Sequence, residues 1–286
     1  LKNPVEHIDI TKFDSRAIIS AMGKMSFVSR ETSNATNIYN EMLKDKDCTI
    51  FLTLAGSTSA AGCMHIYRDM VKYNMVDAIV ATGASIIDMD FFEALGFKHY
   101  QGSQFQNDDE LRKNYIDRIY DTYIDEDELQ KCDKIIGEIA DKLEPRPYTS
   151  REFIKEIGKY LKTNAKKKES LIEVAYDNNV PIFCPAFTDS SAGFGLVMHQ
   201  ERNPKKHITI DSIREFRELT EIKIKSKGSG LFMIGGGVPK NFIQDTVICA
   251  ELLGKNVDMH KYAIQITVAD SRDCLLYTSP SPRDCQ

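Results

Sequence analysis

Three turns of small residues, each directly after an apolar run, are where this sequence could do chemistry. The sharpest is Gly235-Gly236-Gly237-Val238-Pro239-Lys240. Glycines let backbone amides approach a phosphate, and the amino terminus of the helix that Pro239 opens adds a positive field. The second turn is Ala55-Gly56-Ser57-Thr58-Ser59-Ala60-Ala61-Gly62. The third is Ala81-Thr82-Gly83-Ala84-Ser85, with the carboxylates Asp88 and Asp90 just beyond it. A single glycine turn needs no ligand, but three at three strand ends fit a dinucleotide lying across a sheet edge. None has the spacing of the usual dinucleotide fingerprint or of the phosphate loop of NTPases, so residue types alone lead to a nucleotide site and no further. A fourth segment, Pro185-Ala186-Phe187-Thr188-Asp189-Ser190-Ser191-Ala192-Gly193, is either another ligand loop or the place where Asp189 caps the next helix.

Turns of this kind must be held by strands. Five short apolar runs, at 49–54, 78–81, 180–184, 231–234 and 262–268, do not alternate with polar residues, which predicts parallel strands covered on both faces. Helical patterns lie between them. One covers 61–73. Thr149 and Glu152 form a capping-box pair ahead of Phe153, Ile154, Ile157, Tyr160 and Leu161, which share one helical face. Ile213, Phe216 and Leu219 mark another helix, and Pro239 and Gly254 bracket a last one. The expected fold is therefore α/β, a Rossmann-like doubly wound, mostly parallel sheet with helices on both faces, whose ligands gather at the carboxyl ends of the strands. The charged stretch 108–144 reads as a solvated helical insertion. His65 and His199 read as ordinary histidines, and Lys166-Lys167-Lys168 as a solvated helix end.

The chain has 286 residues, 42% hydrophobic and 28% charged, the balance of a globular protein with a full-sized core. No linker interrupts it, so residues 1–273 are expected to form one domain. A net charge of −5 argues against a nucleic-acid partner, which would require an excess of Lys and Arg. It suits a cationic one. The seven cysteines have no CxxC pair and no grouping with His at metal-ligand spacing, so they read as reduced, mostly buried thiols with no metal. No apolar run approaches the ~20 residues needed to cross a bilayer, and no secretory signal opens the chain, so no membrane partner and a cytoplasmic location are expected. The first residue is Leu1, which leaves a clipped start and an alternative start codon both open.

After Asp273 the character changes abruptly. The segment 274–286, CLLYTSPSPRDCQ, is rich in Ser and Pro and, read back into codons, resembles the translation of a sequencing adapter. It reads as a sequencing or cloning artefact and is set aside from fold reasoning.

Taken in order, these loops resemble deoxyhypusine synthase over nearly all of 11–273. The most specific pieces are Asn74-Met75-Val76-Asp77, Pro185-Ala186-Phe187-Thr188-Asp189, Gly235 to Lys240, and Tyr262-Ala263-Ile264 leading to Ala269. The resemblance implies a Rossmann-like fold, NAD as cofactor, and a homotetramer with active sites shared between paired subunits. It also implies transfer of an aminobutyl group from spermidine, by way of an imine on an enzyme lysine, to a lysine of the hypusine-bearing translation initiation factor. By position, Gly56, Ser57, Thr58, Ser59, Thr82, Gly83, Asp189, Gly235, Gly236 and Ala269 look like the cofactor contacts. Asp88 and Asp90 look like receivers of the polyamine's ammonium groups.

The departures from the family pattern concern the amine. An Asp of the family is Phe194 here, and the polyamine-contacting His is Asn241, so the donor or the acceptor is open. Two other readings follow: a homospermidine synthase-type transfer to a free diamine, and a non-catalytic NAD-binding scaffold. The family's catalytic lysine lies in a Ser-Trp-Gly-Lys stretch beyond the point matched by Asp273, and this chain has no Trp. The polypeptide as given is therefore expected to form no imine.

Overall fold

The computed structural model describes residues 1–269. Its centre is a five-stranded sheet built from β1 (Cys48–Leu54), β2 (Ala78–Ala81), β3 (Ile182–Phe183), β4 (Gly228–Ile234) and β5 (Tyr262–Ile266). The spatial order is β5-β4-β1-β2-β3, and every pairing is parallel. All five apolar runs are thus strands. The 180–184 run contributes only two residues to the ladder, because Pro181 has no amide to donate and its carbonyl accepts from Ile79 instead.

Burial on both faces explains the missing alternation. Ile50, Leu52 and Leu54 of β1 join the larger apolar cluster, whereas Phe51 joins a second cluster on the opposite face with Val80, Phe183, Leu219, Leu231 and Ile243. Each such side chain contributes about 1.5–3 kcal/mol when fully buried, so the sheet is a stiff base for the loops at its edge. The capping box at Thr149 is formed as the sequence predicts and opens the helix Ser150–Asn164. The helix bracketed by Pro239 and Gly254 is two helices, Gly237–Gln244 and Thr246–Leu252, meeting at Asp245.

The charged insertion departs from its expected form. It holds the helix Asp108–Lys113, a hairpin of Ile116–Ile119 and Thr122–Asp125 that pairs antiparallel with Tyr100–Gln101, and the helix Glu126–Asp141. That last helix is not merely solvated. Cys132, Ile136 and Ala140, spaced four apart, are fully buried on one face, against the helix Ser191–Arg202. Glycines bring the two backbones together: a side chain on Gly137 would meet the Gly195 carbonyl at 2.9 Å, and one on Gly195 the Asp133 carbonyl at 2.6 Å.

Cys132 and Cys184 are buried, while Cys48, Cys63 and Cys249 are only half-buried, so fewer thiols are in the core than expected. No helix of the described residues is long and apolar enough to cross a membrane. Asp273 and the segment 274–286 lie outside the described residues.

Candidate functional site

With order 5-4-1-2-3, the chain direction across the sheet reverses between β1 and β4. The crevice outside the carboxyl ends of those two strands is where a sheet of this kind binds its ligand. The Gly56 turn follows β1 and the Gly235 turn follows β4, so the two sharpest glycine signals flank that point. The edge is joined laterally. Ala55 donates its amide to the Ile234 carbonyl at 2.9 Å, Thr82 to Leu54 at 3.0 Å, and Gly235 to Ile266 at 2.8 Å. The Ser85 hydroxyl donates to the Gly56 carbonyl at 3.2 Å, and the Thr82 hydroxyl donates to Ser85 at 2.9 Å.

Glycine is favoured in these turns for different reasons. Gly235 has φ +73°, and an added Cβ would lie 3.0 Å from the Ala55 carbonyl oxygen. Gly83 is not left-handed, but a Cβ there would lie 2.6 Å from the Ser190 hydroxyl, so its loop packs against the Asp189 segment. Gly56 and Gly237 are left-handed too, with φ +75° and +60°, but face open space within 4 Å of the position a Cβ would take. Ser59 is buried with no partner for its hydroxyl among the described residues, and neither has the buried side-chain oxygen of Asn241. Thr58 is engaged, its hydroxyl 2.7 Å from the Tyr67 hydroxyl. Ser57 is half-buried, and Ala269 is exposed at the same edge, beyond β5.

Beside this edge lies a cleft of about 1010 Å³. The helices Glu126–Asp141 and Ser191–Arg202 form its walls, and the segment Ala84–Phe91, wound as an eight-residue π-helix, adds Ala84 and Asp88. Such wide turns are rare and tend to occur at functional sites. Five carboxylates line the cleft (Asp88, Asp117, Glu126, Asp133 and Asp189) against one Lys134, together with apolar Leu129, Phe194, Val197 and Met198. A cation with methylene spacers matches such a lining; an anion does not. Burial, and then the Asp133 and Asp189 charges, push Asp88 up to about 6, although the Ser191 amide donates to it at 2.7 Å. Burial also raises Asp133.

Asp189 is exposed and does not cap the following helix. Ser190 does, accepting from the Ala192 amide at 3.3 Å. Asp90, expected on the polyamine side, is 1% exposed and lies in the core, where its two oxygens accept from the Leu171 and Ile172 amides at 2.8 Å each. It caps the helix Leu171–Asn178 from another part of the chain, and the structure does not bring it into the cleft. The reason is geometric: the wide helix 84–91 turns the side chains of residues 88 and 90 in different directions.

Among residues the sequence did not flag, Asp133 and Glu126 enter the cleft from the insertion. Their only sequence signal was negative charge next to a buried helical stripe. His199 is a buried structural group: its ring takes the Ile208 amide at 3.1 Å and meets Asp141 at 2.6 Å. His65 stacks near His7, with burial holding it down to about 4. Lys167 departs from a solvated helix end, pairing with the buried Glu93 at 2.5 Å.

The family model of deoxyhypusine synthase matches residues 17–279. The chain belongs to the deoxyhypusine synthase family. A deoxyhypusine synthase-like protein of Coxiella burnetii is 68% identical over 286 residues, all of this chain and 81% of that protein. One of Caulobacter vibrioides is 65% identical over 277 residues, covering 96% of this chain and 76% of the relative. A crystal structure described as a deoxyhypusine synthase of Entamoeba histolytica superposes with a TM-score of 0.61 at 21% identity, covering 97% of this chain and 98% of that one. At that identity the superposition speaks for the fold alone. It agrees with the Rossmann-like doubly wound sheet, and the family's members set the context in which the cleft is read.

Proposed function

We propose that this chain is an NAD-dependent aminobutyl transferase of the deoxyhypusine synthase type, binding NAD at the sheet edge and a polyamine in the adjoining cleft. The observation that carries the reading is the contact between the two: the Gly83 loop packs on Ser190, so the small-residue edge and the five-carboxylate cleft share a wall.

The residues present fit a dinucleotide. The buried Ser59 hydroxyl and Asn241 side-chain oxygen lack partners among the described residues, and Gly56 and Gly237 open onto free space. Gly56, Ser57, Ser59, Thr82, Gly83, Gly235, Gly236 and Ala269 would hold the cofactor, with Asp189 at the border of the two compartments. When bound, NAD supplies a hydride acceptor for the amine-bearing carbon of the substrate. The chain's own residues orient the amine: Asp88 and Asp189 attract its ammonium groups, while Phe194, Val197 and Met198 cover its methylenes. An Asp88 carboxyl poised near 6 can also take up or release a proton at the amine in the neutral range. The cytoplasm, a homotetramer with shared active sites and a lysine of the translation initiation factor as acceptor complete the proposal on the family's pattern.

Phe194 favours one variation. Being 67% exposed at the cleft wall, it presents an apolar surface where an added carboxylate would grip a further ammonium, which suits a smaller free amine as acceptor. Borohydride trapping separates these readings. The chain as given, and the same chain continued to the length of its Coxiella relative, are incubated with NAD and labelled spermidine or putrescine and examined by mass spectrometry. An aminobutyl-lysine from spermidine in the longer form is expected. Label from putrescine alone would favour transfer between free amines, and no adduct together with intact NAD binding would leave a non-catalytic scaffold.

A further inference from the structure

The triple-glycine turn has an unusual support. Lys240, in the first turn of the helix Gly237–Gln244, is 2% exposed, and its ammonium donates to the side-chain oxygen of Gln265 on β5 at 2.9 Å. The nitrogen of the same Gln265 amide donates to the Gly235 carbonyl at 2.8 Å. A side chain on Gly236 would meet that nitrogen at 3.5 Å, so the amide lies along the turn.

The direction of these bonds follows from chemistry. A lysine ammonium only donates, so Gln265 must turn its oxygen to Lys240, which leaves its nitrogen for Gly235. The Gly235-Gly236 peptide is thereby held with its carbonyl toward Gln265. In a trans peptide the Gly236 N–H then points the opposite way. A turn of three glycines, with φ of +73° at Gly235 and +60° at Gly237, has little steric preference of its own to keep that peptide from flipping.

The geometry points to Gln265 and Lys240 as positioning residues that lock the orientation of the Gly235-Gly236 peptide and so preset the glycine turn for a dinucleotide phosphate. Lys240 acts by fixing which way the Gln265 amide faces. This inference rests on the cofactor reading above, and its test separates the two.

NAD is titrated calorimetrically into the full chain. A wild-type chain that binds no NAD overturns the cofactor reading itself, and this inference with it. Given wild-type binding, Gln265→Met keeps the Lys240 charge but removes both amide bonds, and its affinity falls about tenfold, to the same extent at low and high salt. Lys240→Arg keeps a donor-only cation and stays within about threefold of wild type. Because Lys240 is buried, the unfolding midpoint of each variant without NAD is measured alongside, and affinities are compared at a temperature where every chain is folded. Wild-type affinity in Gln265→Met overturns the lock, as does a loss that vanishes at high salt, which would mark a charge effect. Should the Met variant fail to fold, Gln265→Leu carries the same test.

Discussion

Asp88 and Asp90 stand two residues apart on one wide helical segment, yet they belong to different regions of the molecule. Asp90 points into the core, where both its oxygens accept backbone amides of the helix Leu171–Asn178. Asp88 borders the cleft, where one oxygen takes the Ser191 amide and other carboxylates stand nearby. Burial pushes both up to about 6. The shared pKa hides the difference, which lies in what surrounds each group: protein amides complete the shell of Asp90, whereas the shell of Asp88 is open to a ligand.

The largest expected effect tests the core side. Asp90→Ala strips two amides of a buried helix end of their acceptor and should cost on the order of 3 kcal/mol, lowering the thermal midpoint by roughly 6–12 °C. A loss under about 1 kcal/mol in urea denaturation would show that Asp90 is not a structural cap.

The next effect is at Asp88 and depends on pH. Its folded pKa of about 6 lies above the ordinary 3.8, so the folded chain holds the proton more tightly than the unfolded chain. The resulting stability is fully present below about pH 4 and is lost as the pH rises through 6. Asp88→Asn, which still accepts from Ser191, should therefore be more stable than wild type by about 1–2 kcal/mol at neutral pH and no more stable at pH 4. Its affinity for spermidine should fall by about tenfold or more, read by calorimetry at neutral pH. Equal stability of the two chains at neutral pH would mean that Asp88 carries no cost of desolvation.

The smallest effect isolates the neighbour. Asp133→Asn removes one of the charges that raise Asp88 and should bring the Asp88 midpoint down in a carboxyl carbon NMR titration, with a stability change under about 0.5 kcal/mol. An unmoved midpoint would leave burial and the Asp189 charge as the causes.

Much of the frame can be read from the chain because its causes are local. Runs such as Thr49 to Leu54 show no apolar-polar alternation since both faces of the sheet are covered, and the Thr149 and Glu152 pair caps a helix through bonds spanning three residues. The glycine turns are legible because a positive φ at Gly235 and at Gly56 leaves a mark in residue type. Asp90 is not legible, since its partners stand 81 and 82 residues away, and nothing near it in sequence distinguishes it from Asp88. The cleft-facing side of the insertion is hidden for the same reason: Asp133 becomes a site residue only once Cys132, Ile136 and Ala140 have turned their own face inward. Gln265 is harder still, a polar residue inside an apolar strand whose role depends on a turn thirty residues earlier.

The backbone contact between Gly137 and Gly195 has a consequence for how this enzyme family can diversify. Both helices that it joins are walls of the acidic cleft, and their separation is gauged by two residues without side chains. A methyl group at either position would spread the walls and alter the span between Asp133 on one and Phe194 on the other. The calibre of the cleft can therefore change while every charge that lines it, and the glycine-rich sheet edge beside it, stay where they are.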